Sequence, residues 1–120
     1  MAADNKPDIK VRSFEFSVKI IELYKYLQID KKEYILGKQL LRSGTSIGAN
    51  VEEAIAAQSK KDFIAKMSIS LKEARETNYW LRLLKRTGYI QKNELIKESD
   101  EIMNRLGSII RTSRKNLESE

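Results

Sequence analysis

The sequence predicts an all-α fold, an antiparallel up-down-up-down four-helix bundle. Three features carry that prediction. Four long segments place apolar residues three and four apart. The connections between them are short, which makes successive helices antiparallel neighbours. Helix-breaking residues are sparse: the chain has five glycines and one proline, and Pro7 precedes every periodic segment. A β protein spends more of both on its turns. One domain over residues 1–120 is expected, with 1–8 and 117–120 flexible.

The first helix is expected from about Ile9–Ser13 to Gln28. Phe14, Phe16, Val18, Ile20, Ile21, Leu23, Tyr24 and Leu27 spread over more than half its circumference. A one-sided amphipathic helix has a narrower stripe, so a second apolar face is expected to meet another subunit. Ile29–Lys32 forms the first turn, with Asp30 as a candidate N-cap. The second helix is expected from Lys32 to Gln58. Ser59 followed by Asp62 is a variant capping box, and the third helix then runs to about Thr87. Lys85 and Arg86 suit its negative C-terminal end, and Gly88 suits the left-handed position just past it. Gln91 or Asn93 opens the fourth helix. Leu95, Ile96, Ile102, Met103, Leu106, Ile109, Ile110 and Leu117 recur along it, and it frays after about Asn116.

The second helix is unusual. Leu36, Leu40, Ile47, Val51 and Ala54 form an ordinary core stripe, while Gln39, Arg42, Ser46, Asn50 and Glu53 form a polar ladder beside it. Gly44 and Gly48 lie one turn apart. Each costs about 1 kcal/mol relative to alanine in a helix, so a close approach of another backbone is expected there. Turning the chain near Gln58 brings Ser46 beside Ser70, Asn50 beside Lys66 and Gln39 beside Thr77, with Glu73 and Glu76 near Arg42. The expected result is a hydrogen-bonded structural seam, within the bundle or between subunits, in which Arg42 pairs with Glu73, Glu76 or both. A solvated face of weak charge pairs and an acid–base site using the two carboxylates are the competing readings. Ile69, Trp80 and Leu83 share the face of Glu73 and Glu76 and are the candidate subunit interface.

Histidine and cysteine are both absent. This excludes disulfides, Cys/His zinc sites and Ser-His-Asp or Cys-His catalysis. The Glu-x-x-His motif of bundle metal centres is missing too. No cofactor or metal is expected, and an enzyme is not. There is no apolar run of membrane-spanning length and no apolar leader in MAADNKPDIK, so the expected compartment is the cytoplasm, with no membrane partner.

The net charge is +6, which favours an anionic partner. Lys72, Arg75, Tyr79, Arg82 and Arg86 step along one face of the third helix. They form either a solvated face or a surface for phosphates, whose recognition needs cations in reach and no particular base sequence.

Two stretches carry a family resemblance. Arg42-Ser43-Gly44-Thr45-Ser46-Ile47-Gly48-Ala49-Asn50-Val51-Glu52-Glu53-Ala54 resembles the R-x-x-x-S-I-x-x-N-I-x-E-G signature of the 23S rRNA intervening-sequence proteins, and Gln39 also matches. Lys72–Leu81 resembles their third-helix segment. The likeness runs from about Ser13 to Ser113. Val51 replaces an isoleucine, and Ala54 replaces a glycine, which argues against a sharp helix break there. The resemblance implies a four-helix bundle assembled as a ring-like homopentamer, without enzymatic activity. Some members are encoded within insertions in 23S rRNA genes; a related group binds nucleic acid and the reverse transcriptase of diversity-generating retroelements. The expected function is therefore non-enzymatic. It is either RNA or DNA binding, in some relatives beside a partner enzyme such as a reverse transcriptase, or a protein–protein scaffold with an incidental basic surface.

Overall fold

The computed structural model describes residues 8–119, which form four α-helices: α1 Ile9–Ile29, α2 Leu36–Ile55, α3 Lys60–Arg86 and α4 Glu94–Glu118. Helix α1 packs on α2, α2 on α3, α3 on α4, and α4 more thinly on α1. Among the described residues the backbones of α1 and α3, and those of α2 and α4, do not come close, so each pair occupies diagonal corners around the shared core. The expected flexible residues 1–7 and 120 lie outside the described part. Asp8 is the N-cap of α1, its carboxylate accepting from the Lys10 amide. Contrary to the expected fraying, α4 stays helical through Glu118.

The core follows from the apolar spacing. Phe16, Ile20 and Leu27 of α1 meet Leu40, Ile47 and Val51 of α2, Met67, Ala74, Leu81 and Leu84 of α3, and Ile102 and Leu106 of α4, all essentially sealed from solvent. Gly44 and Gly48 let α1 and α2 come close. A Cβ on Gly44 would lie 2.8 Å from Cγ2 of buried Ile20. On Gly48 it would lie 3.3 Å from the Ser13 carbonyl oxygen. The expected backbone approach therefore holds at Gly48, whereas Gly44 accommodates a side chain.

Two helix ends match expectation. The Ser59 hydroxyl accepts from the Asp62 amide at 3.1 Å, and Gly88 has φ of +88° past the end of α3. The turn before α2 does not match. Asp30 caps the end of α1 instead of opening α2, and α2 begins at Leu36, four residues later than expected. Glu33 supplies the cap: its carboxylate accepts from the amides of Ile35, Leu36 and Gly37 at 3.2, 3.0 and 2.8 Å. An anion there also suits the positive end of the helix. Lys32, at φ of +55°, turns the chain just before Glu33, whose side chain reaches forward to these amides. At its other end α2 stops at Ile55, three residues before the expected Gln58.

Candidate nucleic-acid interface and the polar seam

Arg42 bridges two carboxylates of the neighbouring helix. One terminal amino group lies 3.3 Å from Glu73 Oε1, and the other donates to Glu76 Oε2. That same Glu76 oxygen accepts from Trp80 Nε1 at 3.0 Å. The Arg42 guanidinium, and then the indole N–H, hold the Glu76 carboxyl below its ordinary pKa against the opposing effect of burial. Arg42 is raised in turn, mainly by its hydrogen bond to Glu76. The expected pairing with both glutamates is therefore present.

The rest of the ladder departs from expectation. Ser46 donates to the Arg42 carbonyl, and Asn50 to the Ser46 carbonyl, so both bond back to their own helix. Gln39 and Glu53 are exposed, and the Arg42 side chain keeps 50% of its accessible surface. Within one chain these residues form the outer edge of the α2–α3 contact, not its interior. The buried stripe of α2 is the expected Leu40, Ile47, Val51 and Ala54, and the ladder flanks it without entering the contact.

Serine and threonine one step around the helix make the interior seam. Thr77 Oγ1 donates to Ser43 Oγ at 2.9 Å, and Ser70 Oγ donates to the Ile47 carbonyl at 2.8 Å. Ser43, Ser70 and Thr77 are all fully buried. A second buried link joins α3 to α4: Asn78 Nδ2 donates to Ser99 Oγ at 2.8 Å and to Asp100 Oδ1 at 3.1 Å. Sequence reasoning gave no role to Ser43, Asn78 or Ser99. Ser43 sits one turn before Ile47 in the core stripe, and that spacing was the available signal. Among the described residues no buried side-chain polar atom lacks a partner, as a packed interior requires.

Arg42→Ala tests the outer pair. A half-exposed arginine contributes about 0.5–1 kcal/mol, so a small loss of stability is expected at pH 7. Glu76, with its lowered pKa, stabilises the fold above the ordinary carboxylate range and loses that contribution as pH falls through its folded-state pKa. The gap between wild type and variant therefore closes on acidification. Denaturant melts at neutral pH and below pH 4.5 check this; a gap that widens in acid contradicts the assignment.

The basic stripe lies on the outer face of α3. Lys72, Arg75, Tyr79, Arg82 and Arg86 are all exposed, and among the described residues none of these cations is in a salt bridge. Lys72 lies near enough to help lower the pKa of Glu76. The Arg82 guanidinium lies 5.8 Å from the centre of the Tyr79 ring. The three subunit-contact candidates are uncovered or half-covered: Ile69 is exposed, and Trp80 and Leu83 are half-buried.

The 23S rRNA-intervening sequence protein family matches residues 5–111. The chain belongs to this family. A crystal structure from the S23 ribosomal protein family, of a Bacteroides thetaiotaomicron VPI-5482 protein described as having unknown function, is 53% identical. The match covers 86% of this chain and 98% of that one, with a TM-score of 0.84. No curated protein matches. The 23S rRNA-intervening sequence family signature can now be read physically. In this member Arg42 braces α3, while Ser46 and Asn50 bond back to the carbonyls of their own helix.

Family membership and neighbour agree with the bundle seen here, and neither is described as an enzyme family. Among the described residues no three acidic side chains gather as a metal site, and no helix is long and apolar enough to cross a membrane. A groove of about 700 Å³ between α1 and α4 contains the Arg12–Glu101 ion pair and the hydroxyls of Ser108, Thr112 and Ser113.

Proposed function

We propose that the protein is a non-enzymatic, self-associating helical bundle that binds nucleic acid through the outer face of α3. The observation that carries this reading is the exposure of Lys72, Arg75, Arg82 and Arg86 on one side of a rigid helix. Successive cations sit three, seven and four residues apart, which spreads them over about 21 Å at 1.5 Å per residue. A row of cations carried on one helix face lies within reach of successive phosphates of a backbone. The family's name makes RNA the first probe to use.

Self-association is supported by a second surface. Val11, Phe14, Val18 and Ile21 form an apolar row on α1, and Phe14 retains 58% of its accessible surface. The face holding Ile69 and Trp80 lies on the diagonally opposite helix α3, so the two surfaces point in different directions. Unlike patches on opposite sides favour a head-to-tail contact, which closes as a ring when the rotation permits. The homopentamer implied by the family resemblance has this form.

Fluorescence anisotropy with labelled RNA tests the reading. Affinity should fall steeply as salt rises, with a slope of roughly −0.7 to −0.9 per phosphate neutralised. The double variant Arg75→Glu and Arg86→Glu should bind at least tenfold more weakly, with a shallower slope. Absence of binding by the wild type at low salt would remove the proposal.

A further inference from the structure

We propose that the α3 site takes an unpaired nucleotide: its base stacks on Tyr79, and its phosphate is held by Arg82 and Arg86. This names the ligand class of the nucleic-acid reading above and rests on it.

Contacts to phosphate alone need only cations. An aromatic ring in the middle of the cationic row adds something a duplex cannot use, because paired bases keep their faces inside the stack. Single strands offer those faces, and base–aromatic stacking is their common mode of recognition. Tyr79 is 48% exposed. It follows Arg75 by one turn and precedes Arg82 and Arg86 by about one and two turns.

The ring is held in place. The Trp80 indole meets it edge-on, with centroids 5.1 Å apart and planes at 69°. Trp80 is itself tied to Glu76, which Arg42 holds from α2. Arg82 is fixed from the other side. Its Nε donates to Asn78 Oδ1 at 2.8 Å. Asn78 is buried and donates to Ser99 and Asp100 of α4, and Ser99 donates to the Ile96 carbonyl at 2.7 Å. The guanidinium thus ends a buried hydrogen-bonded chain, and its terminal amino groups make no hydrogen bond among the described residues. Such a group can meet a phosphate with little loss of freedom.

Tyr79, Arg82, Leu83 and Arg86 line a shallow cleft of about 220 Å³. Its walls combine a ring and an aliphatic side chain with two cations, which matches one base and its phosphate. Glu76 is engaged by Arg42 and Trp80, and Asp100 by Asn78.

The test uses the full chain with a labelled uridine oligonucleotide and a duplex RNA of equal phosphate count, at low salt. The single strand should bind more tightly. Tyr79→Ala should weaken single-strand binding roughly tenfold or more and leave duplex binding unchanged, while Tyr79→Phe keeps the stacking face and stays near wild type. Trp80, the only tryptophan, should change its emission when the single strand binds and not when the duplex does. Circular dichroism checks that the variants fold. If Tyr79→Ala weakens both ligands equally, or neither, the stacking site is wrong and cation-driven binding survives. If neither ligand binds the wild type, both readings fall together.

Discussion

Replacing Gly44 with valine lowers the melting temperature by roughly 10 °C, the expected result of about 3 kcal/mol of overpacking in a chain this size. The first added carbon alone would sit 2.8 and 2.9 Å from Cγ2 and Cγ1 of Ile20. Ile20 is fully buried and, being β-branched, is stiff at χ1, so it cannot swing aside. The helices must separate, and the α1–α2 contact loosens along its length. Gly44→Ala gives a smaller loss, because the gain in helix propensity of about 1 kcal/mol offsets part of the clash.

Ile20→Ala is the partner test. Alone it opens a cavity and costs about 2–5 kcal/mol. Combined with Gly44→Val it restores room, so the double variant is more stable than the sum of the singles by more than about 1 kcal/mol. Thermal melts at one fixed protein concentration measure all four corners of the cycle. Additive losses would mean that the two side chains do not meet.

The second large effect is on assembly. Phe14→Glu together with Val18→Glu should reduce the protein to single chains of 13.9 kDa by light scattering, with helical content retained. Both side chains are exposed on one chain, so the fold does not need them. Burying two carboxylates against an apolar partner surface costs several kcal/mol each unless they are paired. A wild type that is already monomeric at micromolar concentration would remove the assembly proposal. A double variant of unchanged mass would move the contact elsewhere.

Much of the architecture was legible in the residue order because its causes are local. The Ser59 hydroxyl caps α3 from three residues away, and Gly88 takes the positive φ that follows a helix end. The pairing of Arg42 with Glu73 and Glu76 also followed from counting residues about the α2–α3 turn, because antiparallel neighbours fix which turns lie side by side. The start of α2 was not legible, because Glu33 caps the helix through a turn that contains one left-handed residue, Lys32. Lysine carries no local preference that announces such a turn.

Periodicity, capping and charge thus determined four helices, their order, the basic face of α3 and the residues able to bridge α2 to α3. Only the tertiary structure decided which hydroxyls are inside: Ser43 and Thr77 in place of Ser46 and Asn50, and Asn78 bound to Ser99 behind Arg82. The physical reason is angular. Successive helical residues differ by 100° in direction, so a small rotation of one packed helix against another exchanges a buried side chain for an exposed one. That rotation is set jointly by the volumes of all the side chains in the contact, among them Ile20 against Gly44.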